Sequence, residues 1–190
     1  IQCDALAGQQ PPAHGRMIET IELLTSLGER VGHSTQAAAA EMIEAKLVEV
    51  GFTPWLHHYE YESQTWSNVV VANGPLVTGS ECVVIMAHYD SIGWGDPPRA
   101  PGADDDGSGV AVLLELAGRF VGTRTDRTVV FCFFSNEEVG LRGSRAFVQW
   151  ADAEGVRIAS AINVDIVGYS SPPQVLDWAA VRAQGWPRAK

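Results

Sequence analysis

Pro101–Gly109 reads P-G-A-D-D-D-G-S-G, and a largely apolar run, Val110–Phe120, follows it at once. The adjacent carboxylates of Asp104, Asp105 and Asp106 repel one another, while Gly102, Gly107 and Gly109 give the backbone room for unusual dihedrals. The acids therefore stand where a loop enters a buried helix. Charge placed there needs a neutralising partner, and a hard or borderline dication is one. A solvated acidic turn, or an N-cap with spare acids beside it, is the alternative.

Outward from this stretch the chain alternates in kind. Cys82–Ala87 and Thr128–Phe134 are continuous apolar runs on either side of the helix Gly109–Phe120. A second helix, Ser144–Ala153, separates Thr128–Phe134 from Ile158–Val164. Buried strands alternating with helices make β-α-β-α-β, hence an α/β fold of three layers, α-β-α, with a mixed, mostly parallel central sheet buried on both faces. Upstream, residues 1–15 carry Pro11, Pro12 and Gly15 and read as a loop. Met17, Ile18, Ile21, Leu24 and Leu27 recur at helical spacing up to Gly28, and Ser34 is placed to cap a second helix that Gly51 stops. Residues 55–62 alternate as a strand, so His57 and His58 face opposite sides and cannot share one metal. A further strand, Ser67–Ala72, ends at the turn pair Asn73-Gly74.

In such sheets ligands bind beyond the carboxyl ends of the strands. His88, the pair Glu137-Glu138 and Asp165 all fall there, and Asp105 sits on the loop after the first of these strands. One imidazole with several carboxylates is an N/O donor set that suits zinc, with cobalt or manganese as substitutes. Asp90, two residues past His88, is placed to accept a hydrogen bond from the ring nitrogen turned away from the metal. Asp105 could bridge two ions. Of Glu137 and Glu138, one would be a ligand and the other a base for the attacking water. Other chemistries fit less well: there is no G-x-S-x-G elbow, no H-E-x-x-H helix and no complete phosphate-cradling motif. A two-carboxylate glycosidase built on Glu137 and Asp165 would leave His88 and the aspartate triplet without a role.

The bulk properties bound the rest. The 190 residues are one domain's length and can bury a sizeable core. A net charge of −10 and a pI near 4.8 argue against nucleic acid and anionic membrane surfaces as partners. No apolar run reaches membrane-spanning length. Cys3, Cys82 and Cys132 lack C-x-x-C spacing, and the last two, inside strand-like runs, read as buried thiols. The start at Ile1 is read as the trace of a removed leader, giving a secreted or periplasmic protein as the expectation and a cytoplasmic one as the alternative.

In combination, A-H-Y-D-S (Ala87–Ser91), P-G-A-D-D-D-G-S-G (Pro101–Gly109), N-E-E-V-G-L-R-G-S (Asn136–Ser144) and N-V-D (Asn163–Asp165) resemble the co-catalytic di-zinc exopeptidases related to bacterial leucyl aminopeptidase and glutamate carboxypeptidase. The resemblance covers roughly residues 17–170. It implies that His88 and Asp165 bind one zinc, that Glu138 binds a second and that Asp105 bridges both. It also implies that Glu137 is the general base, that Asp90 orients His88 and that the Asp105–Asp106 peptide is cis. The implied activity is hydrolysis of peptides by a metal-activated water, with an aminopeptidase first and a carboxypeptidase, a glutaminyl cyclase or a metal-free binding module as alternatives. In that family the second zinc takes a histidine from a later loop. Here the histidines are His14, His33, His57, His58 and His88, and none follows Asp165. The expectation is therefore a single zinc peptidase domain, residues 1–190, that lacks the family's C-terminal part. It would hold about one zinc well, hydrolyse peptides poorly and expose apolar surface.

Overall fold

The structure, a computed structural model, describes residues 13–93 and 100–168. Cys3 and the tail Ser170–Lys190 lie outside the described residues. In chain order the elements are α1 (Ala13–Ser26), α2 (His33–Glu49), β1 (Trp55–Tyr61), β2 (Gln64–Ala72), β3 (Glu81–His88), α3 (Gly107–Gly118), β4 (Thr128–Phe134), α4 (Arg142–Ala153) and β5 (Arg157–Asn163). All four helix starts differ from the sequence reading, those of α3 and α4 by two residues each. Helix α1 begins at Ala13 and runs through Gly15, because its packing along α3 outweighs the glycine's weak propensity. Helix α2 is capped by the extended backbone of Gly32, not by Ser34, and has no side-chain capping bond.

The sheet order is β1-β2-β4-β3-β5. Strands β1 and β2 form an antiparallel hairpin whose two turn residues, Glu62 and Ser63, both have positive φ. Strand β2 runs antiparallel to β4, whereas β4, β3 and β5 are mutually parallel neighbours. The expected mixed sheet is thus parallel in the part that carries the chemistry.

Side chains of opposite strand parity feed two separate cores. On one face Val69, Val71, Ile85, Phe131 and Phe133 pack with Leu24, Ile43, Leu47 and Leu113 of α1, α2 and α3. On the other, Val70, Val84, Val130 and Cys132 pack with Phe147 and Ala151 of α4. Cys82 and Cys132 are buried free thiols, as their strand context implies. Strand β5 departs from the expectation of burial on both faces. Its residues are exposed apart from a half-buried Ile158, and Ile162 is 50% exposed. It pairs through β3 alone among the described residues, so only one edge and little of either face is covered. Next to it runs an open apolar groove lined by Val84, Met86, Phe134, Phe147, Val148 and Ile158. No helix among the described residues is long and apolar enough to cross a membrane.

His57 and His58 do point to opposite sides of β1, one buried and one exposed. His57 lies edge-on to Phe147 and Trp150, with Asn68 Nδ2 at 3.0 Å from its Nδ1. Burial, aided by the charge of His58, holds its pKa below the usual imidazole value. A base whose folded pKa is depressed contributes stability that is present above its unfolded pKa and lost as pH falls through the folded one. His57→Gln should therefore lose less stability than the wild type as pH drops below about 6.5, read from denaturant midpoints. Equal acid sensitivity of the two proteins would show that His57 does not carry the effect.

Candidate metal centre

Three parallel strands end on one side of the sheet, and each delivers its polar successor there. The β3–β4 register sets His88 level with Phe134, so the turn Ser135–Glu138 begins beside the histidine. The β3–β5 register sets Met86 level with Asn163. With a side-chain period of two, Asp165 then comes level with His88 on the same face. Asp105 arrives from the loop that opens α3. The donor atoms of His88, Asp105 and Asp165 lie within 4.8 Å of one another, the one such grouping of metal-ligating side chains among the described residues.

His88 is buried, and its Nε2 faces the cluster, 3.0 Å from Asp105 Oδ1 and 4.0 Å from Glu137 Oε2. Burial pulls its pKa down, but Asp90 and the charges of Asp106 and Glu137 win and hold the imidazolium up to about 9. That proton is the one a dication would displace. Burial pushes the Glu137 and Glu138 carboxyls up as well. Asp90, Asp165 and Asp105 add to this at Glu137, as Asp105 and Asp90 do at Glu138, while His88 opposes it at both. Such crowded, half-buried acids with one ring nitrogen at their centre fit a hard or borderline dication. Glu138 feels the charge of Asp105 but lies outside the tight group of three.

Asp90 does more than face the histidine. Its Oδ1 accepts the amide of Glu137 and its Oδ2 that of Glu138, each at 3.0 Å. His88 Nδ1 lies 3.2 Å from the Asp90 carbonyl oxygen and 3.4 Å from Oδ1. The Asp90 carboxylate stays beside the imidazole, as the sequence reading has it, and also takes two hydrogen bonds from the Glu137-Glu138 backbone. The turn that aims both amides at Asp90 depends on Asn136, held at φ 55, a left-handed conformation asparagine tolerates better than most residues. Its side chain donates to Tyr59 Oη at 2.9 Å and accepts from Gln36 Nε2 at 3.0 Å.

The triplet splits between the two readings offered for it. Asp106 is the N-cap of α3, its Oδ1 accepting the Gly109 amide at 2.9 Å and its Oδ2 the His88 amide at 3.1 Å. Burial raises its pKa to about 7, with His88 and those amides opposing the rise. Asp104 accepts from the Ser108 hydroxyl and the Gly168 amide. Asp105 alone is turned to the cluster, and the Asp105–Asp106 peptide is cis as expected. The capping signal was present in D-G-S-G. Arg30 gave no signal: a lone arginine in a loop reads as surface, yet it is fully buried. Burial lowers its pKa to about 10, against the charges of Asp90, Asp106 and Asp105, so it remains a cation at neutral pH.

Fold and site together define an α/β architecture with a cluster of side chains able to hold a metal ion at the carboxyl ends of parallel strands. The chain belongs to peptidase family M28, whose model matches residues 68–187 and so takes in every residue of the cluster. Leucine aminopeptidase 1 of Sclerotinia sclerotiorum is 31% identical over 169 residues, 82% of this chain and 43% of that one. Aminopeptidase YwaD of Bacillus subtilis is 35% identical over 112 residues, 58% of this chain and 24% of that one. The Legionella pneumophila LapA aminopeptidase structure superposes with a TM-score of 0.70 at 24% identity, covering 82% of this chain and 43% of that one, a likeness of fold. This chain thus spans less than half the length of each.

Replacing Asp90 by Asn puts an amide group opposite one of the two backbone N–H donors, leaving that donor unpaired and loosening the Glu137-Glu138 turn. Affinity for a divalent metal ion should fall about 10- to 100-fold while the domain stays folded. A chelator-competition titration showing unchanged affinity would make Asp90 a bystander.

Proposed function

We propose that this chain carries the metal centre of a zinc-dependent exopeptidase, an aminopeptidase that removes N-terminal residues from peptides. The observation that carries the reading is the position of His88 Nε2. Two carboxylates, Asp105 and Asp165, join it as a ligand group, and a third, Glu137, stands 4.0 Å off without joining them. Three protein donors with a free carboxylate beside them are what hydrolysis by an activated water needs. The names of the relatives, aminopeptidases, support the same choice.

In this reading His88, Asp105 and Asp165 would hold one zinc, and Glu138 together with Asp105 would contribute ligands to a second. Zinc bound there supplies Lewis acidity that favours ionisation of water and polarises a carbonyl. Glu137 has a pKa raised by burial, which suits a base working near neutral pH. It takes the proton of the attacking water and returns it to the leaving amine. Asp90 keeps it in place by holding its amide. Asp105 and Glu138 alone, two carboxylates, would make a weak second site, so about one tightly held zinc is expected of these residues.

Zinc titration of the metal-free chain, with a panel of aminoacyl-nitroanilides beside N-blocked analogues, tests this reading. We expect one tight zinc, weak hydrolysis confined to free-amine substrates and abolished by chelation, and loss of that residual turnover in Glu137→Gln with zinc still bound. A mutant that loses zinc along with activity would exchange the roles of Glu137 and Glu138. A chain that binds no zinc would leave a binding module as the better reading.

A further inference from the structure

Arg30 sits in the loop between α1 and α2, remote in sequence from every residue of the cluster, and it is 0% exposed. Among the described residues no carboxylate lies within ion-pair distance of it; its guanidinium is spent on main-chain carbonyls. Nε donates to Tyr89 O at 2.6 Å, Nη1 to Pro101 O at 2.5 Å and Leu24 O at 3.2 Å, and Nη2 to Gly102 O at 3.2 Å. Its own amide donates to the Ser91 hydroxyl, which in turn donates to Ala100 O.

Leu24 lies in α1, and the other three acceptors belong to two segments of the site. Tyr89 lies between His88 and Asp90, so its carbonyl fixes the turn that presents both. Gly102 O accepts a second bond, from Gly107 N at 3.0 Å, which closes the loop Ala103–Asp106 onto the first residue of α3. Asp105 rides on that closed loop. One planar cation therefore spans the backbone under His88 and the backbone under Asp105. The approach is close enough to dictate Gly102: at its φ of +61 an added Cβ would lie 2.5 Å from Arg30 Nη2 and 2.6 Å from Asp105 O.

We propose that Arg30 is a positioning residue of the metal centre, a buried guanidinium clamp that sets the spacing of the His88 and Asp105 segments and through it the affinity and geometry of the bound metal. The inference rests on the zinc reading above. Lysine cannot serve in its place, because a point ammonium has neither the planar fork nor enough donors to reach four carbonyls in fixed directions. The role is one of geometry. A cation as such would, if anything, repel a dication.

The test compares wild type, Arg30→Ala and Arg30→Lys as the full chain, by chelator-competition zinc titration, the visible spectrum of the cobalt-substituted protein and melting of the metal-free forms. Zinc affinity should fall about 10- to 100-fold in the alanine variant, as for other groups that orient metal ligands, with an altered cobalt spectrum. Low millimolar guanidinium should restore part of the affinity, and ammonium at the same concentration should not. Arg30→Lys should fold and still bind zinc more weakly than wild type. A purely structural role would lower the melting temperature of the metal-free variants and leave affinity and spectrum unchanged, which overturns the proposal. If Arg30→Ala does not fold, wild-type affinity and spectrum in Arg30→Lys overturn it equally. Wild-type protein that takes up no zinc would overturn the proposed function itself, whereas zinc binding indifferent to position 30 would overturn this inference alone.

Discussion

Mutual repulsion of carboxylates is the constraint on which the rest of this structure turns. Asp90, Asp104, Asp105, Asp106, Glu137, Glu138 and Asp165 converge at the ends of three neighbouring strands. Two such charges 4 Å apart cost about 4 kcal/mol at an effective dielectric of 20. A chain of marginal stability cannot carry several of these without assigning each acid a partner.

The assignment divides the acids into two kinds. Asp90, Asp104 and Asp106 receive donors from the protein itself: the amides of Glu137 and Glu138, the Ser108 hydroxyl and Gly168 amide, and the amides of His88 and Gly109. They serve as internal brackets that join one segment of the site to another. Asp105, Glu137, Glu138 and Asp165 receive little beyond the His88 ring and, for Asp165, a long bond from Asn163. The second kind is displayed, and a dication is the partner that the first kind does not need. Arg30 underlies both, giving its donors to backbone carbonyls rather than to any acid.

The fold makes this convergence possible through handedness and register. Crossover helices α3 and α4 lie on opposite faces of the sheet and return the chain so that β3, β4 and β5 all point the same way. A register slip of one residue in β5 would turn Asp165 to the opposite face and take it out of the cluster. The hairpin β1-β2, whose second strand runs antiparallel to β4, contributes no ligand. It supports the site from beneath, since Tyr59 holds Asn136 and Asn68 holds Ser135.

The sequence by itself determined the order of strands and helices along the chain, the end of the sheet that carries the chemistry and the set of candidate acids gathered there. Those features are local: continuous apolar runs, glycine-flanked loops, and acids placed where a run stops. It also bore the N-cap alternative for the aspartate triplet, though not which of the three would cap. Only the tertiary structure decided that Asp106 caps while Asp105 faces the cluster, because that depends on the direction of one short loop against β3. Only it showed Asp90 bonded to the Glu137-Glu138 backbone, a contact between segments 47 and 48 residues apart. Arg30 was illegible for the same reason. Its partners are carbonyl oxygens, which every residue has, so no side-chain pattern could announce a clamp that exists only once two loops have been folded onto it.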